Sequence, residues 1–395
     1  AGSSPALATK TIKRLYYYIV NRFFYFYIMR KLLIEKPLIF CLIFTFLTSC
    51  DNSSIIENNI YEKEIIAYYP GGKDLINQYD LNGVTQLIYS FLHLKGNKLA
   101  VDNKEDSLTI VHLVNLKNKY PKLKILVALG GWGGCKTCSD VFSTVDGREE
   151  FASSTAKILE DYNLDGIDLD WEYPVIPGVP GHKYQDEDKD NFTDLIVRLN
   201  NYLASEHIIS FAAGGFESFL EKSIDWDKVM PLVDHVNIMS YDLYSQTKTG
   251  HHTPLYSVNK DSYSVDSAVR YLTKIGIPKN KIIVGAAFYG RIWENVPDID
   301  NGLFQNAKFR RAISFNKLDN LDKEFEFYWD ETAKAPYAFN KTKNEFLSFD
   351  NKESVSLKAK YVIDQDLKGI MFWQLGEDLS SNGLLEAIKN RIYKD

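Results

Sequence analysis

The chain has 395 residues, of which 45% are hydrophobic and 14% aromatic, so it can bury a large core and is not a disordered protein. Its net charge is −6, but seven of the 46 basic side chains lie in residues 1–49, and residues 50–395 carry 39 basic against 51 acidic side chains. This acidic main part lacks the basic stripe that contacts phosphates, which argues against a nucleic-acid-binding protein.

The first 62 residues are predicted to be an export signal followed by a tether. From Met29, a short basic stretch precedes an apolar run over 38–47 and small residues before Cys50, which is the layout of a secretory signal peptide. The alternative, a transmembrane anchor, needs roughly 20 apolar residues, and this run has about ten. We predict a signal peptide over 29–49 and a polar tether over 50–62, and we interpret residues 1–28 as an extension from a mis-assigned start codon.

The cysteines carry two further predictions. The segment Leu47-Thr48-Ser49-Cys50 resembles a bacterial lipobox, which implies an exported protein held at a bacterial membrane, in the cell envelope or on the surface, only by a lipid on Cys50. Cys135 and Cys138 form a single C-x-x-C pair, which supplies two ligands where structural zinc takes four. An oxidising compartment favours a local disulfide between them, and free thiols or a redox centre are the alternatives.

Eight short apolar runs, several rich in β-branched residues, recur between residues 64 and 375. Most are separated by segments long enough for a helix, including the amphipathic candidates 190–206 and 262–276. Alternating strands and helices build parallel sheets, and eight repeats close a (β/α)8 TIM barrel of the α/β class. An open doubly wound sheet is the alternative, but no glycine-rich phosphate fingerprint follows the first strand. The predicted strands are 64–69, 86–91, 124–131, 166–173, 208–215, 235–242, 281–290 and 369–375.

An extra segment separates the seventh and eighth predicted strands. Residues 292–351 contain the strand-like pieces FEFYWD, APYAF and EFLSF, and the segment is longer than one crossover helix requires. A long unstructured loop is the alternative, but the density of Phe, Tyr and Trp argues against it. We predict a small α+β insertion domain over 292–351, between the two parts of a barrel that spans 63–291 and 352–395.

The fourth predicted strand carries a row of carboxylates. Successive side chains of a strand point to opposite faces, so Asp168, Asp170 and Glu172 share one face. Burying adjacent like charges is costly, so at least one acid should keep its proton with a raised pKa; a solvated acidic strand or surface calcium ligands are the alternatives. Glu172 lies near the C-terminal end of the strand, where these barrels have their active sites. An acid of raised pKa at that position can protonate a leaving-group oxygen, which predicts glycoside hydrolysis.

The same residues carry a resemblance to family 18 glycoside hydrolases, the chitinases. The signature D-x-x-D-x-D-x-E of that family is matched by Asp165, Asp168, Asp170 and Glu172. Other blocks resemble the family in the same order, over about residues 64–385. They are Gly130-Gly131-Trp132, Met239-Ser240-Tyr241-Asp242, the stretch 250–256, Tyr289-Gly290-Arg291 and Trp373.

The resemblance implies a retaining, substrate-assisted mechanism on β-1,4-linked N-acetylglucosamine polymers such as chitin. Glu172 would be the general acid and base, and Asp170, Asp168 and Tyr241 would complete the catalytic group. The residues that the resemblance implies for substrate binding are Asp165, Trp132, Met239, Asp242, Tyr289, Arg291 and Trp373.

One position departs from the family pattern. Ala128 stands where the family often has a serine that supports the acids, so we expect modestly altered acid tuning. The adjacent His251 and His252 do not suggest a metal site, because no H-E-x-x-H or further His or Cys set accompanies them. We expect a monomer that uses no metal or cofactor and binds chitin or N-acetylglucosamine oligosaccharides, not nucleic acid. A chitin-binding lectin and a hydrolase of N-glycans or peptidoglycan are the alternative functions.

Overall fold

The computed structural model describes residues 63–260, 262–321 and 323–393, apart from the side chain of Asp319. The predicted extension, the signal peptide, Cys50 and the tether over 50–62 lie outside the described residues. Within the described part of the chain, no helix is both long enough and apolar enough to cross a membrane.

Strands in the described residues belong to two sheets. The larger is mostly parallel and the smaller antiparallel. In chain order the strands are β1 (Glu64–Tyr69), β2 (Gln86–Lys95), β3 (Lys98–Ala100), β4 (Lys124–Gly130), β5 (Gly166–Asp170), β6 (Ile208–Gly214), β7 (His235–Met239), β8 (Ile282–Ala287), β9 (Tyr289–Glu294), β10 (Lys308–Ser314), β11 (Phe325–Asp330), β12 (Ala335–Asn340), β13 (Glu345–Phe349) and β14 (Gly369–Trp373).

Eight of these strands close into a parallel barrel, which confirms the predicted (β/α)8 fold. The order around the barrel is β1, β14, β8, β7, β6, β5, β4 and β2, and the pairing of β1 with β2 closes the ring. The short β3 pairs antiparallel with the end of β2. Closure leaves the barrel without a free edge, so every strand has a neighbour on both sides.

Helices follow most of the barrel strands. The α-helices are α1 (Lys104–Asn115), α2 (Cys138–Phe142), α3 (Val145–Tyr162), α4 (Asp188–Tyr202), α5 (Glu217–Lys222), α6 (Trp226–Val229), α7 (Val265–Lys274), α8 (Lys352–Asp364) and α9 (Leu384–Tyr393). The predicted helices 190–206 and 262–276 are α4 and α7. Short 3-10 helices lie at Leu75–Gln78, Leu116–Asn118, Met230–Leu232, Lys279–Lys281, Asp300–Gly302, Phe315–Asn320 and Leu375–Glu377.

Polar side chains mark where several helices begin. Asn103 accepts hydrogen bonds from two backbone N–H groups of the first turn of α1. Ser264 and Asn351 form capping boxes at the starts of α7 and α8. Such caps satisfy backbone donors that the first turn of a helix leaves without intrahelical partners. The helix starts are therefore encoded by residues that lie within a few positions of one another in the sequence.

The predicted seventh strand, 281–290, is divided between two sheets. β8 ends at Ala287, and after Phe288 the chain continues as β9, whose Tyr289 pairs with Ser314 of β10. The N–H of Phe288 donates to the carbonyl of Trp373 in β14, whereas its own carbonyl accepts from Phe315 beyond β10. The change of partners cannot be read from the sequence, because the apolar run continues through it.

A second sheet of five antiparallel strands forms the insertion, in the order β10, β9, β13, β12 and β11. The predicted pieces FEFYWD, APYAF and EFLSF are β11, β12 and β13. The sheet begins at Tyr289 and ends at Phe349, whereas the prediction was 292–351. Its described residues hold 3-10 helices and no α-helix, so the helical part of the predicted α+β domain is limited to short turns.

A buried ion pair fixes the end of the insertion to the barrel. Nζ of Lys358 in α8 lies 2.6 Å from Oδ2 of Asp350, and both side chains are fully buried. The same oxygen accepts from the Ala287 backbone N–H and the Thr253 hydroxyl, and Ser354 donates to the other oxygen at 2.6 Å. Asp350 therefore joins β8, the loop after β7 and α8, with every contact polar and satisfied.

Replacing Lys358 by Met is expected to lower the free energy of unfolding by about 3–5 kcal/mol, because it leaves a buried carboxylate without its cation. The matched control is Lys360→Met on the same helix, whose partner Asp364 is exposed and whose pair should contribute at most about 0.5 kcal/mol. Urea titration and thermal denaturation of the full chain measure both variants. Equal losses in the two variants would show that the buried pair does not stabilise the barrel.

Candidate active site

The acid row runs along β5 and two residues past its end, and its members become more accessible toward the C-terminal end. The exposed fractions of Asp168, Asp170 and Glu172 are 0, 4 and 8%. Regular strand pairing ends at Asp170, so Glu172 stands two residues beyond the strand, at the mouth of the barrel. The row is therefore graded from a fully enclosed acid to one that a ligand can reach.

Asp168 is held by three donors from three other strands. Tyr68 of β1 donates its hydroxyl proton to Oδ2 at 2.8 Å, Ser210 of β6 donates to Oδ1 at 2.6 Å, and the Asn237 amide of β7 donates to Oδ1 at 3.1 Å. Burial raises the pKa of Asp168, and these hydrogen bonds offset part of the rise. The enclosed end of the row is thus fully bonded.

Asp170 has a different environment. Its Oδ1 is buried and has no hydrogen-bond partner among the described residues. Burial raises the pKa of Asp170 well above its usual range, and the charges of Glu172 and Asp168 add to the rise. A buried carboxylate oxygen without a partner destabilises the protein, which suggests that a ligand supplies the missing donor.

Glu172 has the properties of a proton donor near neutral pH. Burial raises its pKa to about 7, the hydrogen bond from the Tyr173 hydroxyl acts against this, and the charge of Asp242 adds to it. A general acid works best when its pKa lies near the working pH. The position at the barrel mouth and the raised pKa together fit Glu172 for protonating a bound substrate.

A charge pair flanks the acids on the side of the insertion. Arg291 of β9 donates from Nε and from an NH2 group to the two oxygens of Asp242, at 2.7 and 2.5 Å. Nδ1 of the fully buried His252 lies 3.5 Å from Asp242 Oδ1. Burial would raise the pKa of Asp242, but His252 and Arg291 outweigh it and lower the pKa to about 2. Asp242 is therefore a permanent negative charge beside Glu172.

Aromatic rings line the mouth of the barrel. Trp373 at the end of β14 is partly exposed and stacks on Phe91 with 5.4 Å between ring centroids. Tyr241 and Tyr289 are buried and meet edge to face at 6.2 Å. Trp132 is 62% exposed. Exposed and half-exposed rings at a polar cleft can stack on the C–H faces of sugar rings.

Two glycines let the backbone approach the acids closely. Gly130 and Gly131 have φ angles of +104° and +76°, which other residues rarely adopt. A Cβ on Gly130 would lie 2.3 Å from the carbonyl oxygen of Asp170, and one on Gly131 would meet the ring of Phe91. The Gly131 N–H donates to that same carbonyl at 2.9 Å. These glycines are needed so that β4 can turn beside Asp170.

The structure brings most of the predicted site residues together. Asp168, Asp170, Tyr241, Tyr289 and Met239 face or border the barrel interior, which also contains Ile66, Ile88, Leu126, Ile283 and Met371. Glu172 and the pair of Asp242 with Arg291 lie at the mouth. A disulfide joins Cys135 and Cys138, and Cys138 begins α2 in the loop that follows β4.

Asp165 is not part of this site, which corrects its predicted role in substrate binding. It precedes β5 at the N-terminal end of the barrel, where it accepts from Nζ of Lys117 at 2.9 Å and from the backbone N–H of Ile125 at 2.8 Å. The physical reason is parity, since Asp165 lies three positions before Asp168, an odd number, and side chains alternate along a strand. Asp165 holds the start of β5 against β4.

Sequence reasoning missed the residues that surround Asp168. Ala128 of β4 and Ser210 of β6 pair with Asp168 on its two neighbouring strands. Ala128 has no hydroxyl, and the hydroxyl that donates to Asp168 comes from Ser210 on the opposite side of β5. Tyr68, Ser210 and Asn237 each place a polar group inside a predicted apolar strand. That pattern was a usable signal, but only barrel closure shows that the three polar groups meet.

Comparison with known proteins agrees with this geometry. Residues 57–378 match the profile of the glycosyl hydrolases family 18. Chitinase A1 of Niallia circulans is 32% identical over 331 residues, which cover 76% of this chain and 46% of that protein. Chitotriosidase-1 of Mus musculus is 31% identical over 344 residues, which cover 80% of this chain and 71% of that protein.

A solved structure shows the same similarity. The family 18 N-acetylglucosaminidase from Paenibacillus barengoltzii has a TM-score of 0.76 and 32% identity with this chain, over 83% of this chain and 99% of that one. The chain spans just under half the length of chitinase A1. The similarity therefore extends over nearly all the described residues of this chain. In chitinase A1, by contrast, the matching region is less than half of the protein.

Replacing Asp242 by Asn is expected to lower the pKa of Glu172 from its value of about 7. The negative charge of Asp242 disfavours the Glu172 carboxylate, and its loss also leaves the Arg291 cation unpaired nearby, which acts in the same direction. The shift should be on the order of one pH unit. It is measured by ¹³C NMR titration of labelled glutamate side chains, with Glu172→Gln identifying the resonance.

Asp366→Asn is the control for this experiment. Asp366 is an exposed carboxylate that pairs with Lys63 just before β14, at the N-terminal end of the barrel. Its removal should leave the pKa of Glu172 unchanged. An unchanged or higher Glu172 pKa in the Asp242→Asn protein would show that the two carboxylates do not interact.

Proposed function

Because the chain belongs to glycosyl hydrolase family 18, we propose that it hydrolyses β-1,4 linkages in chitin and in N-acetylglucosamine oligomers. The observation that carries the proposal is the graded acid row, in which a reachable Glu172 with a pKa of about 7 stands beside an Asp170 oxygen without a partner. The relatives chitinase A1 and chitotriosidase-1, at 32% and 31% identity, are named for the same substrate class, which supports the proposal.

Glu172 performs the proton transfers of the reaction. Its protonated carboxyl donates to the glycosidic oxygen, so that the bond to the anomeric carbon breaks and the leaving sugar departs as an alcohol. The resulting carboxylate then removes a proton from the water molecule that attacks the anomeric carbon. Glu172 is thereby returned to its protonated form at the end of each turnover.

The substrate supplies the nucleophile. The carbonyl oxygen of its N-acetyl group attacks the anomeric carbon and forms an oxazolinium ion, which water opens with retention of configuration. The unpartnered oxygen of Asp170 accepts the acetamido N–H, aligns the group for attack and stabilises the positive charge that develops on it. Asp168 supports Asp170 from the enclosed end of the row, and Tyr241 donates its hydroxyl to the acetamido oxygen.

The mouth of the barrel holds the sugar ring in place. Trp373, backed by Phe91, provides an apolar platform for one pyranose face. Asp242 and Arg291 offer a carboxylate and a guanidinium to the polar edge of the sugar, and their mutual ion pair fixes both orientations. Trp132, which is exposed on the loop after β4, is suited to a neighbouring sugar.

We also propose that the protein is exported and anchored to a bacterial membrane by a lipid on Cys50. The support is the signal-like segment 29–49 and the lipobox-like residues 47–50. The disulfide between Cys135 and Cys138 agrees with an oxidising compartment. Lipid attachment would place the enzyme at a surface that an extracellular polymer can reach.

Replacing Glu172 by Gln is expected to reduce hydrolysis of N-acetylglucosamine oligomers at least about 100-fold, because the amide cannot donate an acidic proton. Product analysis by mass spectrometry after incubation of the full chain with the oligomers measures this loss. Since the protonated acid is the donor, activity of the unaltered chain should be retained below the pKa of Glu172 and decline as the pH rises through about 7.

Glu386→Gln is the control, because that residue lies in the first turn of the outer helix α9. It should retain full activity. Release of no oligomers by the unaltered chain, with tight binding of them, would support the lectin alternative. Activity that survives Glu172→Gln would show that another group is the acid.

Replacing Cys50 by Ser is expected to move the protein from the membrane fraction of a bacterial host to the soluble fraction, because serine cannot receive the thioether-linked lipid. Detergent phase partitioning and metabolic labelling with a fatty acid measure the change. Cys41→Ser, within the apolar run, should remain labelled. Equal partitioning of the Cys50 variant and the unaltered chain would contradict lipid attachment at Cys50.

A further inference from the structure

A cavity of about 500 Å³ lies on the sheet of the insertion. Its lining comes from the end of β9, the middle of β10, the segment 320–325 and the turn from β12 into β13. We call it the insertion pocket. Its volume falls in the range of sites that bind small ligands, roughly 300–1,000 Å³. None of the proposed catalytic steps uses a residue of this pocket.

The insertion pocket lies on the face of the sheet that is turned away from the loop after β7. Trp293 of β9 packs edge to face on Tyr244 of that loop, and its indole N–H donates to a backbone carbonyl of the loop at 3.0 Å. Glu294, the next residue along β9, lines the pocket, and successive side chains of a strand point to opposite faces. The sheet therefore separates the pocket from the loop that carries Asp242.

The insertion pocket has an excess of cations, although the main part of the protein is acidic. Three cations and two carboxylates make up its charged lining, namely Arg310, Arg311, Lys343, Glu294 and Glu345. Arg310 pairs with both carboxylates, and Lys308 also pairs with Glu294 at 3.2 Å. Because the acids of the pocket are already paired, an anion that enters it meets a net positive charge.

Arg311 is the cation that is available to a ligand. Its side chain is exposed, and within the described residues its guanidinium has no carboxylate partner and only a long hydrogen bond of 3.5 Å to the Ala312 carbonyl. Arg311 pairs with Ile292 across the two strands, so it shares the face of the sheet on which Ile292 and Phe325 pack together. A guanidinium is a planar fork of donors that matches the two oxygens of a carboxylate.

A buried amide on the same face lacks an acceptor. Asn340 is fully buried and pairs with Phe325 on one side and with Glu345 on the other, both of which line the pocket. Directly paired residues of an antiparallel sheet share a face. The Asn340 Oδ1 accepts from the Lys343 backbone N–H at 2.9 Å, whereas its Nδ2 has no acceptor among the described residues. A buried donor without an acceptor is costly, which points to a ligand with acceptor oxygens.

Apolar and amide residues complete the lining of the insertion pocket. Phe325 belongs to the apolar cluster on this face of the sheet, and Leu321 packs against that cluster. Asn295 and Asn320 add two amide residues. Amides bind hydroxyl groups, and apolar surface suits the C–H groups of an organic molecule. The lining therefore fits an organic anion better than an inorganic one.

We propose that the insertion pocket binds a small organic acid that carries one carboxylate and several hydroxyl groups. The carboxylate accepts from the guanidinium of Arg311, and hydroxyl oxygens of the ligand accept from the amide of Asn340. Sugar acids and open-chain hydroxy acids share this chemistry. The bound acid joins β10 to the turn between β12 and β13 and so stabilises the insertion. The site does not depend on the proposed hydrolase function.

Matched ligands test whether the insertion pocket requires a carboxylate. Glucuronate differs from glucose only by a carboxylate in place of the hydroxymethyl group, and gluconate is an open-chain acid. Calorimetry measures their dissociation constants on the full chain with Glu172→Gln, so that no oligomer is cleaved. Glucuronate should bind on the order of tenfold more tightly than glucose, because the carboxylate pairs with the Arg311 guanidinium. Its affinity should be the same with and without the N-acetylglucosamine hexamer.

Substitutions identify the residue that holds the carboxylate. Arg311→Gln should weaken glucuronate binding on the order of tenfold and leave glucose unchanged. Arg311→Lys keeps the charge but not the planar fork, and should weaken glucuronate about threefold. Arg270→Gln is the matched control, because it removes an exposed arginine of α7, and it should change neither ligand.

Thermal denaturation reports the folding of each variant and provides a second measurement. Saturating glucuronate should raise the melting temperature of the parent protein and of the Arg270→Gln protein, because a ligand that binds only the folded state stabilises it. The same concentration should have a smaller effect on the Arg311→Gln protein. If both Arg311 variants are misfolded, Lys343→Gln removes another cation of the pocket and should weaken glucuronate about threefold.

Four results would overturn the inference. They are equal binding of glucuronate and glucose, binding of neither acid by the folded parent, full affinity in the folded Arg311→Gln protein, and displacement of glucuronate by the hexamer, which would place the acid in the catalytic cleft. Inorganic phosphate that binds as tightly as glucuronate would overturn the assignment of an organic acid. A difference between glucuronate and gluconate supports the inference and shows whether sugar acids or open-chain acids are the preferred source.

Discussion

The site depends on one constraint, which is that three carboxylates on β5 and just past its end are taken out of water. Burial disfavours their charged forms, and each neighbouring charge adds to the cost. Two different environments reduce the free-energy cost of burying these carboxylates. Asp168 is stabilised by three hydrogen-bond donors, whereas Asp170 and Glu172 have raised pKa values. The free energy that burial costs thus reappears as the raised pKa of Glu172, which keeps that side chain protonated near neutral pH so that its proton is available for transfer.

Closure of the barrel brings together the hydrogen-bond donors that help to set the pKa of the enclosed acid Asp168. The donors to Asp168 come from β1, β6 and β7, of which only β6 is adjacent to β5. An open sheet of the same strands would leave Tyr68 far from Asp168, and the enclosed carboxylate would lose a partner. The insertion makes a second contribution, because β9 follows β8 after one residue and brings Arg291 to Asp242. The buried pair of Lys358 with Asp350 fixes the other end of that insertion.

Much of the fold and part of the site follow from local patterns. Seven of the eight predicted barrel strands begin at the observed residue, because a run of buried apolar residues is visible in the sequence alone. Alternation along β5 was enough to place Asp168, Asp170 and Glu172 on one face. The same alternation indicates that Asp165 lies on the opposite face from these three acids, although its place in the family signature suggested a role in substrate binding. In contrast, no residue pattern in the sequence indicates that the apolar run 281–290 is divided at Phe288 between β8 and β9.

The strand pattern, the acid row and the order of the motifs can be read from the sequence, because each is set by residues within a few positions of one another. Which side chains meet across the barrel depends on the assembled fold. Ser210 supplies the hydroxyl that Ala128 lacks, Phe91 lies under Trp373, and His252 lies against Asp242. Partners of this kind are far apart along the chain or separated by a turn, and their distances are set by closure of the barrel. The pKa values of the acids follow from those distances and from burial, so the chemistry became defined only once the chain had folded.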